Sequence, residues 1–517
     1  MPTARSTTAP PTPGLTPLFD AAASRAADAR ATAEFGMPSS LLMERAGLES
    51  ARAIMRHFPA VPRATILVGP GNNGGDGMVV ARHLLEAGWA VDLVSTDGGA
   101  PTTPDAAVMA GIAERLGITV RAFSSRQRTH DGVLVDALLG TGTHGAPRAP
   151  MDAIVAWANR WPGPVVSLDV PTGVDADTGA VAGAAVTAAL TLTYHADKPG
   201  LHVAPGRGHA GLVEVVDIGI PSQVTETPVA WLGHEAAATA LPPKAPTGEK
   251  YGAGAVLVVA GAPGMTGAAV LASTAALRAG AGLVVAAVPE SLRSEVAAHT
   301  VEVMCTGAHD RDGCLAIESV PHILRQSERV AAVAIGPGVG RAACTTEALR
   351  ELLTRLRMPM VIDADGLLAP GRVHRPAVAA GRGHGDHPHA GEAARLLGWT
   401  RPRVEEQRLT AARTLAEDTG AVVVLKGPGT VVAHPDGTTV VARGGGATLS
   451  TAGSGDVLTG IVAAGLSKGM SGFTAAVAAV CLHAAAGDAA PGGDGTVARD
   501  LIAALPPTLV RLRAEPV

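Results

Sequence analysis

The amino-acid sequence predicts an α/β protein of two domains, each built on a mostly parallel sheet. Three observations carry that expectation. Short β-branched runs alternate with longer Ala/Leu/Arg runs of helical period. Most short runs end in Gly, Asp or Pro and lead into the next helix, the pattern of βαβ units whose ligands sit at the carboxyl ends of the strands. A polar stretch from Ile220 to Gly248, carrying Pro221, Pro228, Pro242, Pro243 and Pro246, separates two such series.

The first series has expected strands at Thr65–Val68, Ala90–Ser95, Gly132–Val135, Pro164–Leu168 and Leu190–Tyr194. The second has them at Val256–Val259, Gly282–Ala287, Val330–Ile335, Pro359–Ile362 and Ala421–Leu425. Residues 1–14, "MPTARSTTAPPTPG", lack an apolar signal-peptide region and read as a disordered lead-in. Residues 15–222 form the first expected domain, 223–247 a linker and 248–517 the second domain.

Composition narrows the function. Hydrophobic residues are 47% of the chain but aromatics only 2%, so Ala, Val and Leu must fill the core. A net charge of -5 without a long basic run argues against nucleic acid as partner. The four cysteines, Cys305, Cys314, Cys344 and Cys481, form no C-x-x-C pair, which fits a reducing, cytoplasmic setting rather than a disulfide or zinc framework. Gly, Pro or charge interrupts each apolar run before about 18 residues, so no membrane span is expected.

The first chemical motif is "GPGNNGGDG", Gly69 to Gly77, which follows the run "ATILV". Gly69, Gly71 and Gly74 fit G-x-G-x-x-G, and Asp92 or Asp97 could serve a dinucleotide ribose. Asn72, Asn73 and Asp76 add amide and carboxylate oxygens, which suit a hard cation, to backbone amides, which suit phosphate. "VLVDALLGTGTHG" repeats the plan with Asp136, and "VVSLDVPTGVDADTG" repeats it with Asp169 and Thr172. Three such strand ends in one parallel sheet are expected to share a cleft.

In order, "LLMERAG", "GPGNNGGDG", "VDALLGTG", "SLDVPTGVDADTG" and "TLTYHADKPGL" resemble the NAD(P)H-hydrate epimerase domain of the bifunctional NAD(P)H-hydrate repair enzymes. The resemblance covers residues 15 to 220 and implies a Rossmann-like parallel-sheet α/β/α sandwich. It implies that Asn72, Asn73, Gly74, Gly75 and Asp76, with Gly140, Thr141, Gly142, Thr143, His144, Gly145 and Ala146, hold the hydrated nucleotide. It also implies a potassium ion (K+) at Asn73, Asp136 and Thr172, the last standing where relatives often have Ser. Asp169 is expected to touch the substrate and is the acid/base candidate. Lys198, in "DKPGL", is open between a surface lysine and a catalytic one.

In the second half, "TAGSGDVLTGIVAAGL" offers the backbone amides of Gly453, Ser454 and Gly455 at a helix start, beside Asp456. Asp456 could take a proton from a hydroxyl during phosphoryl transfer. With "AIGPGVG", "VIDADGLL", "VLKGPGT" and the opening "EKYGAGAVLVVAGAPGMTGAAVLA", it resembles the ribokinase-like superfamily, and within it the ADP- or ATP-dependent NAD(P)H-hydrate dehydratases. The resemblance implies that Lys426, Gly427, Pro428, Gly429, Thr430 and Gly455 bind ADP or ATP with Mg2+. It implies that Ala268, Gly338, His389 and Asp456 contact the hydrated substrate, and it allows a homo-oligomer.

One segment departs from that pattern. Where relatives have an apolar strand and then Thr-Pro-His-Pro-Gly-Glu, this chain has "AVAAGRGHGDHPHAGE", with His387 and Ala390 for Thr and Pro. The expectation is a flexible Gly/His loop rather than a strand, or rather than a metal site at His384, His387 and His389. Two other readings stay open on sequence alone: a ribokinase-like small-molecule kinase fused to a nucleotide-binding domain, and a first domain that only binds or scaffolds.

Overall fold

The computed structural model describes residues 12–126, 129–224, 226–368 and 384–514. It divides into two compact units, one running from Pro17 to Ala230 and the other from Trp231 to Val517 with Pro10–Thr16 added.

The first unit is a seven-stranded sheet, parallel throughout. Its order is Val120–Ala122, Ala90–Ser95, Arg63–Val68, Val133–Ala137, Val165–Leu168, Leu190–Tyr194 and Leu212–Val216. Both faces are buried, which is why the strands read as continuous apolar runs rather than alternating ones. Ile66 and Val68 pack into one cluster and Leu67 into another. The order reverses between Arg63–Val68 and Val133–Ala137, so the loops after these strands flank the switch point where such sheets bind ligands. A Cβ on Gly69 would lie 1.7 Å from the Leu138 carbonyl oxygen, so only glycine lets the two loops touch.

The second unit holds an eleven-stranded sheet with helices packed against it. Its order is Leu15–Leu18, Ala230–Gly233, Thr439–Ala442, Val431–Ala433, Val422–Leu425, His384–His387, Met360–Asp363, Ala332–Ile335, Ala255–Val259, Leu283–Pro289 and Met304–Ala308. The six ladders from Val422–Leu425 to Met304–Ala308 are parallel, and Val431–Ala433 is antiparallel to both its neighbours. Val256 and Val258 join one core cluster, Leu257 and Val259 the other. Small residues let the helices approach closely: a Cβ on Gly460, in helix Ser454–Ser467, would sit 2.2 Å from the Ala272 carbonyl of helix Thr266–Arg278. Helix Gly472–Ala489 has the length and hydropathy of a membrane span, and 83% of it is buried inside the unit.

All ten expected strands are present, within a few residues at their ends. Two expectations are corrected. Residues 223–247 are more than a linker: they supply the strand Ala230–Gly233 and the 3-10 helix Glu235–Ala240. His384–His387 is a strand rather than a flexible loop, because Met360–Asp363 and Val422–Leu425 on either side satisfy its backbone. Residues 377–383 of that segment, and residues 1–11 of the expected lead-in, lie outside the described residues.

Candidate active sites

In the first unit the ends of three adjacent strands meet at a cleft of roughly 490 Å³. Helix Asn72–Glu86 begins inside the glycine motif and brings Asn72, Asn73 and Asp76 to the wall. Gly140 links them to the next loops: a Cβ there would lie 3.4 Å from Asn73 Cβ and 3.0 Å from Asp169 Oδ2. Gly140, Thr141, Gly142 and Thr143 line the cleft. His144 turns to Asp175, with Nδ1 and Oδ2 2.8 Å apart, and neither it nor Gly145 or Ala146 is part of the lining. Gly74 and Gly75 serve packing instead: a Cβ on Gly75 would meet Met43 Sδ at 2.7 Å.

Asp169 sits in the left-handed region, with φ 64°, a strained backbone that aims its carboxylate into the cleft. Lys198 is only 1% exposed, so the reading of it as a surface lysine is corrected. Its ammonium donates to Asp169 Oδ1 at 2.9 Å, Thr193 Oγ1 at 2.8 Å and the Tyr194 carbonyl at 2.9 Å. These three bonds use all its protons. The Thr141 N–H donates to Asp169 Oδ2 at 2.9 Å. Burial works against the Asp169 charge, but Lys198 and the Thr141 amide outweigh it and hold the carboxyl below its usual range. A group so held is a charge partner, and a poor proton donor.

Two other carboxyls behave oppositely. Asp76, buried and facing the charges of Asp169 and Asp28, is raised well above the usual value. Asp28, on helix Ala21–Phe35, lines the same cleft and was not singled out by any motif. The surrounding walls push it up to about 6, against the pull of Lys198 and with the push of Asp169.

Behind the cleft, Asp136 is fully buried. It accepts from Ser167 Oγ and Thr172 N at 2.9 Å, from Thr172 Oγ1 at 2.7 Å and from Leu138 N at 3.3 Å. Burial still raises its carboxyl above the usual value, outweighing these bonds. Asn73 donates to the Leu168 carbonyl at 3.3 Å, and its own Oδ1 is buried without a partner among the described residues.

In the second unit the site gathers around Asp363, at the end of strand Met360–Asp363. Asp363 is 1% exposed; Lys426 Nζ donates to its Oδ1 at 2.5 Å and Thr459 Oγ1 to its Oδ2 at 2.6 Å. Burial alone would raise this carboxyl, but Lys426 leads the charges and bonds that hold it down. Asp456, in the first turn of helix Ser454–Ser467, is pushed up to about 7 by burial and by the Asp363 charge, with Lys426 opposing. A Cβ on Gly455 would lie 3.4 Å from Lys426 Nζ, so the anion-binding turn, the lysine and the acid share one spot. Arg408 fixes the strand end from behind by donating to the carbonyls of Leu425 and Lys426 at 3.1 and 3.2 Å. Thr430 Oγ1 closes the Gly427–Thr430 turn onto the Gly427 carbonyl at 3.0 Å. Ala268 and Gly338 are adjacent, since a Cβ on Gly338 would lie 2.8 Å from that of Ala268.

His389 caps helix Ala390–Leu397: its Nδ1 accepts from the amides of Gly391 and Glu392 at 3.0 and 3.3 Å, and Glu392 bonds back to the His389 amide. His387 is buried beside Asp363, and burial lowers its imidazole to about 4. Among the described residues there is no group of three or more His, Cys, Asp or Glu placed to hold a metal. Asp28 and Asp363 are groups within the two sites that motif reading passed over. Asp363 stood in the quoted "VIDADGLL" strand end and carried the signal; Asp28 carried none.

Known proteins supply the remaining constraint. Residues 39–200 match the family described as YjeF-related protein N-terminus, and residues 256–507 match NAD(P)H-hydrate dehydratase. The bifunctional NAD(P)H-hydrate repair enzyme of Moorella thermoacetica is 38% identical, covering 94% of this chain and 96% of its own. That of Escherichia coli is 34% identical over 90% of this chain and 88% of its own. The ADP/ATP-dependent NAD(P)H-hydrate dehydratase of Bacillus subtilis, solved with ATP and Mg2+, is 27% identical, spans 54% of this chain and 97% of that one, and has a TM-score of 0.46. Near full-length identity, reaching through both glycine-rich sites, settles the choice left open by the motifs: this chain belongs to the bifunctional NAD(P)H-hydrate repair enzymes.

Proposed function

We infer that the two units act in sequence on hydrated nicotinamide nucleotides. The first interconverts the R and S epimers of NAD(P)H hydrated at C6 of the nicotinamide ring. The second dehydrates the S epimer to NAD(P)H at the expense of ADP or ATP. Full-length similarity supports the pairing of activities. One observation carries the chemistry of the second: Asp456, pushed up to about 7, stands at a helix start beside the Asp363–Lys426 pair.

At that site Asp456 takes the proton of the C6 hydroxyl as it attacks the terminal phosphoryl group. The amides of the Gly453–Gly455 turn and the Lys426 ammonium hold the developing charge. Loss of phosphate from C6, with the ring nitrogen lone pair pushing, leaves an N1=C6 cation, and release of a C5 proton to the departing phosphate or water forms the C5=C6 bond of NAD(P)H. Bound with the nucleotide, Mg2+ would supply counter-charge on its phosphates, and the Asp363 carboxylate, held by Lys426 and Thr459, would be a hard oxygen donor for it.

In the first unit the C6–O bond must break and re-form on the other face. Asp169, ionised beside Lys198, steadies the cation-like ring between the two events. The residues present fit K+: among the described residues Asn73 Oδ1 is a buried oxygen without a donor, and the buried Asp136 carboxyl has only neutral donors as partners. Bound there, K+ supplies counter-charge and fixes the three loops.

The test is a coupled assay. Hydrated NADH supplied with ADP, and separately with ATP, should yield the absorbance of reduced nicotinamide from both epimers. Failure with both epimers and both nucleotides overturns the reading. Exchange of K+ for Na+ should slow R-to-S interconversion, and Asn73→Ala should remove the difference between the two ions. Light scattering on the purified protein tests the proposed homo-oligomer.

A further inference from the structure

The cleft of the first unit gathers several carboxyls around a single lysine. Asp28, Asp76 and Asp169 line it together with one lysine, Lys198. That lysine is fully committed, its three bonds running to Asp169, Thr193 and Tyr194. Asp169 is bonded at both oxygens. Among the described residues neither the Asp28 nor the Asp76 carboxyl accepts a hydrogen bond, so nothing fixes either as a carboxylate. Asp76 is 8% exposed, whereas Asp28, on the cleft wall, is exposed. A second feature marks this wall as a ligand wall: the unpartnered Oδ1 of Asn73, a residue only 7% exposed.

We propose that Asp28 is the acid–base group of epimerisation, carrying the proton to and from the C6 hydroxyl while Asp169 remains the fixed negative charge. The proposal rests on the epimerase reading of this cleft. In the forward step the Asp28 O–H bond breaks and its proton passes to the C6 hydroxyl oxygen. The C6–O bond breaks with its electron pair leaving on water, and the N1 lone pair forms an N1=C6 double bond. The flat cation presents its other face to that water, which adds to C6 and returns a proton to the Asp28 carboxylate. Nothing is oxidised or reduced. A carboxyl near 6 suits both halves, since it is neither too weak an acid to give the proton nor too weak a base to recover it. The titratable groups facing Asp28 from other elements are Asp76, Asp105, Asp169, Tyr194, His195 and Lys198, and Arg25 shares its helix.

The experiment follows R-to-S interconversion of hydrated NADH by chromatography, without nucleotide, in the full chain. Asp28→Asn should lower kcat by about 10²–10⁴-fold, leave KM within about threefold and abolish the limb near pH 6. Asp28→Glu should recover activity with a shifted limb. An unfolding transition of the first unit unchanged from wild type, with the rescue by Asp28→Glu, shows that any loss in Asp28→Asn is not loss of folding. An Asp28→Asn enzyme that keeps more than about a third of kcat and the wild-type pH profile overturns the proposal. A wild type that interconverts the epimers no faster than solution does overturns the epimerase reading itself.

Discussion

At the scale of single residues, each site pairs a carboxylate with a lysine and leaves another acid with a raised pKa nearby. Lys198 is 1% exposed, and Lys198→Met would leave Asp169 uncompensated. The expected cost to the first unit is about 3–5 kcal/mol by chemical denaturation, with loss of interconversion. The pH dependence has a defined sign. In the wild type the Asp169 carboxyl is depressed, so its stabilisation is present above the unfolded value and lost as pH falls through the depressed one. In Lys198→Met the carboxyl rises instead, so the penalty should shrink as pH falls. A penalty constant with pH would show that the ion pair is not its origin.

Asp456 gives a second residue-scale prediction. As a base it works ionised, so dehydration should rise with pH through a limb near 7. Removing the Asp363 charge removes one of the causes of that rise, so Asp363→Asn should move the limb of the residual activity to lower pH. The raised carboxyl also favours the folded state less as pH rises from the unfolded value toward 7, since the native protein binds the extra proton. An unmoved limb in Asp363→Asn would assign the titration to another group.

At the scale of elements, the legibility of the sequence tracks a physical divide. The central strands of both sheets are apolar on two faces, so runs such as Val133–Ala137 and Ala255–Val259 announce themselves. The strands it missed are short, such as Val120–Ala122, or, like Leu212–Val216, half exposed at an edge. His384–His387 is invisible for a different reason: Gly, Asp and His have little strand preference, and its conformation comes from the ladders beside it. The same divide separates site residues. Asn73, Asp169 and Asp456 lie in glycine-rich strand ends, where local spacing announces chemistry. Asp28 sits on a helix whose place at the cleft depends on long-range packing. Lys198 likewise reveals its role only through the burial that its partners permit. For the helix after that unexpected strand, His389→Ala removes two cap bonds and should cost about 1 kcal/mol in unfolding of the second unit. If the same change raises KM for the S epimer as well, His389 also contacts substrate.

At the scale of the whole molecule, the two activities draw on separate residues, so they should separate genetically. Asp456→Asn should stop dehydration and spare interconversion, and Lys198→Met should do the reverse. An equal mixture of the two variants should restore NADH formation from the R epimer after a lag, because the S epimer diffuses between molecules. Dilution should lengthen that lag. A mixture that never recovers would mean the epimer must pass within one chain.

The second unit has a beginning that the Pro-rich boundary conceals. Leu15 lies in its core cluster with Trp231, and the His234 amide donates to the Gly14 carbonyl at 3.0 Å. Residues 12–16 therefore belong to the second unit, although the whole first unit separates them from the rest of it along the chain. In chain topology the first unit is then a guest threaded into the second near its start, not a head joined to a body. On the ribosome, the host's first strand emerges, waits while the guest is made, and finds its neighbour only at Ala230–Gly233. Dividing the chain at that boundary into two polypeptides would send the host's opening strand away with the guest.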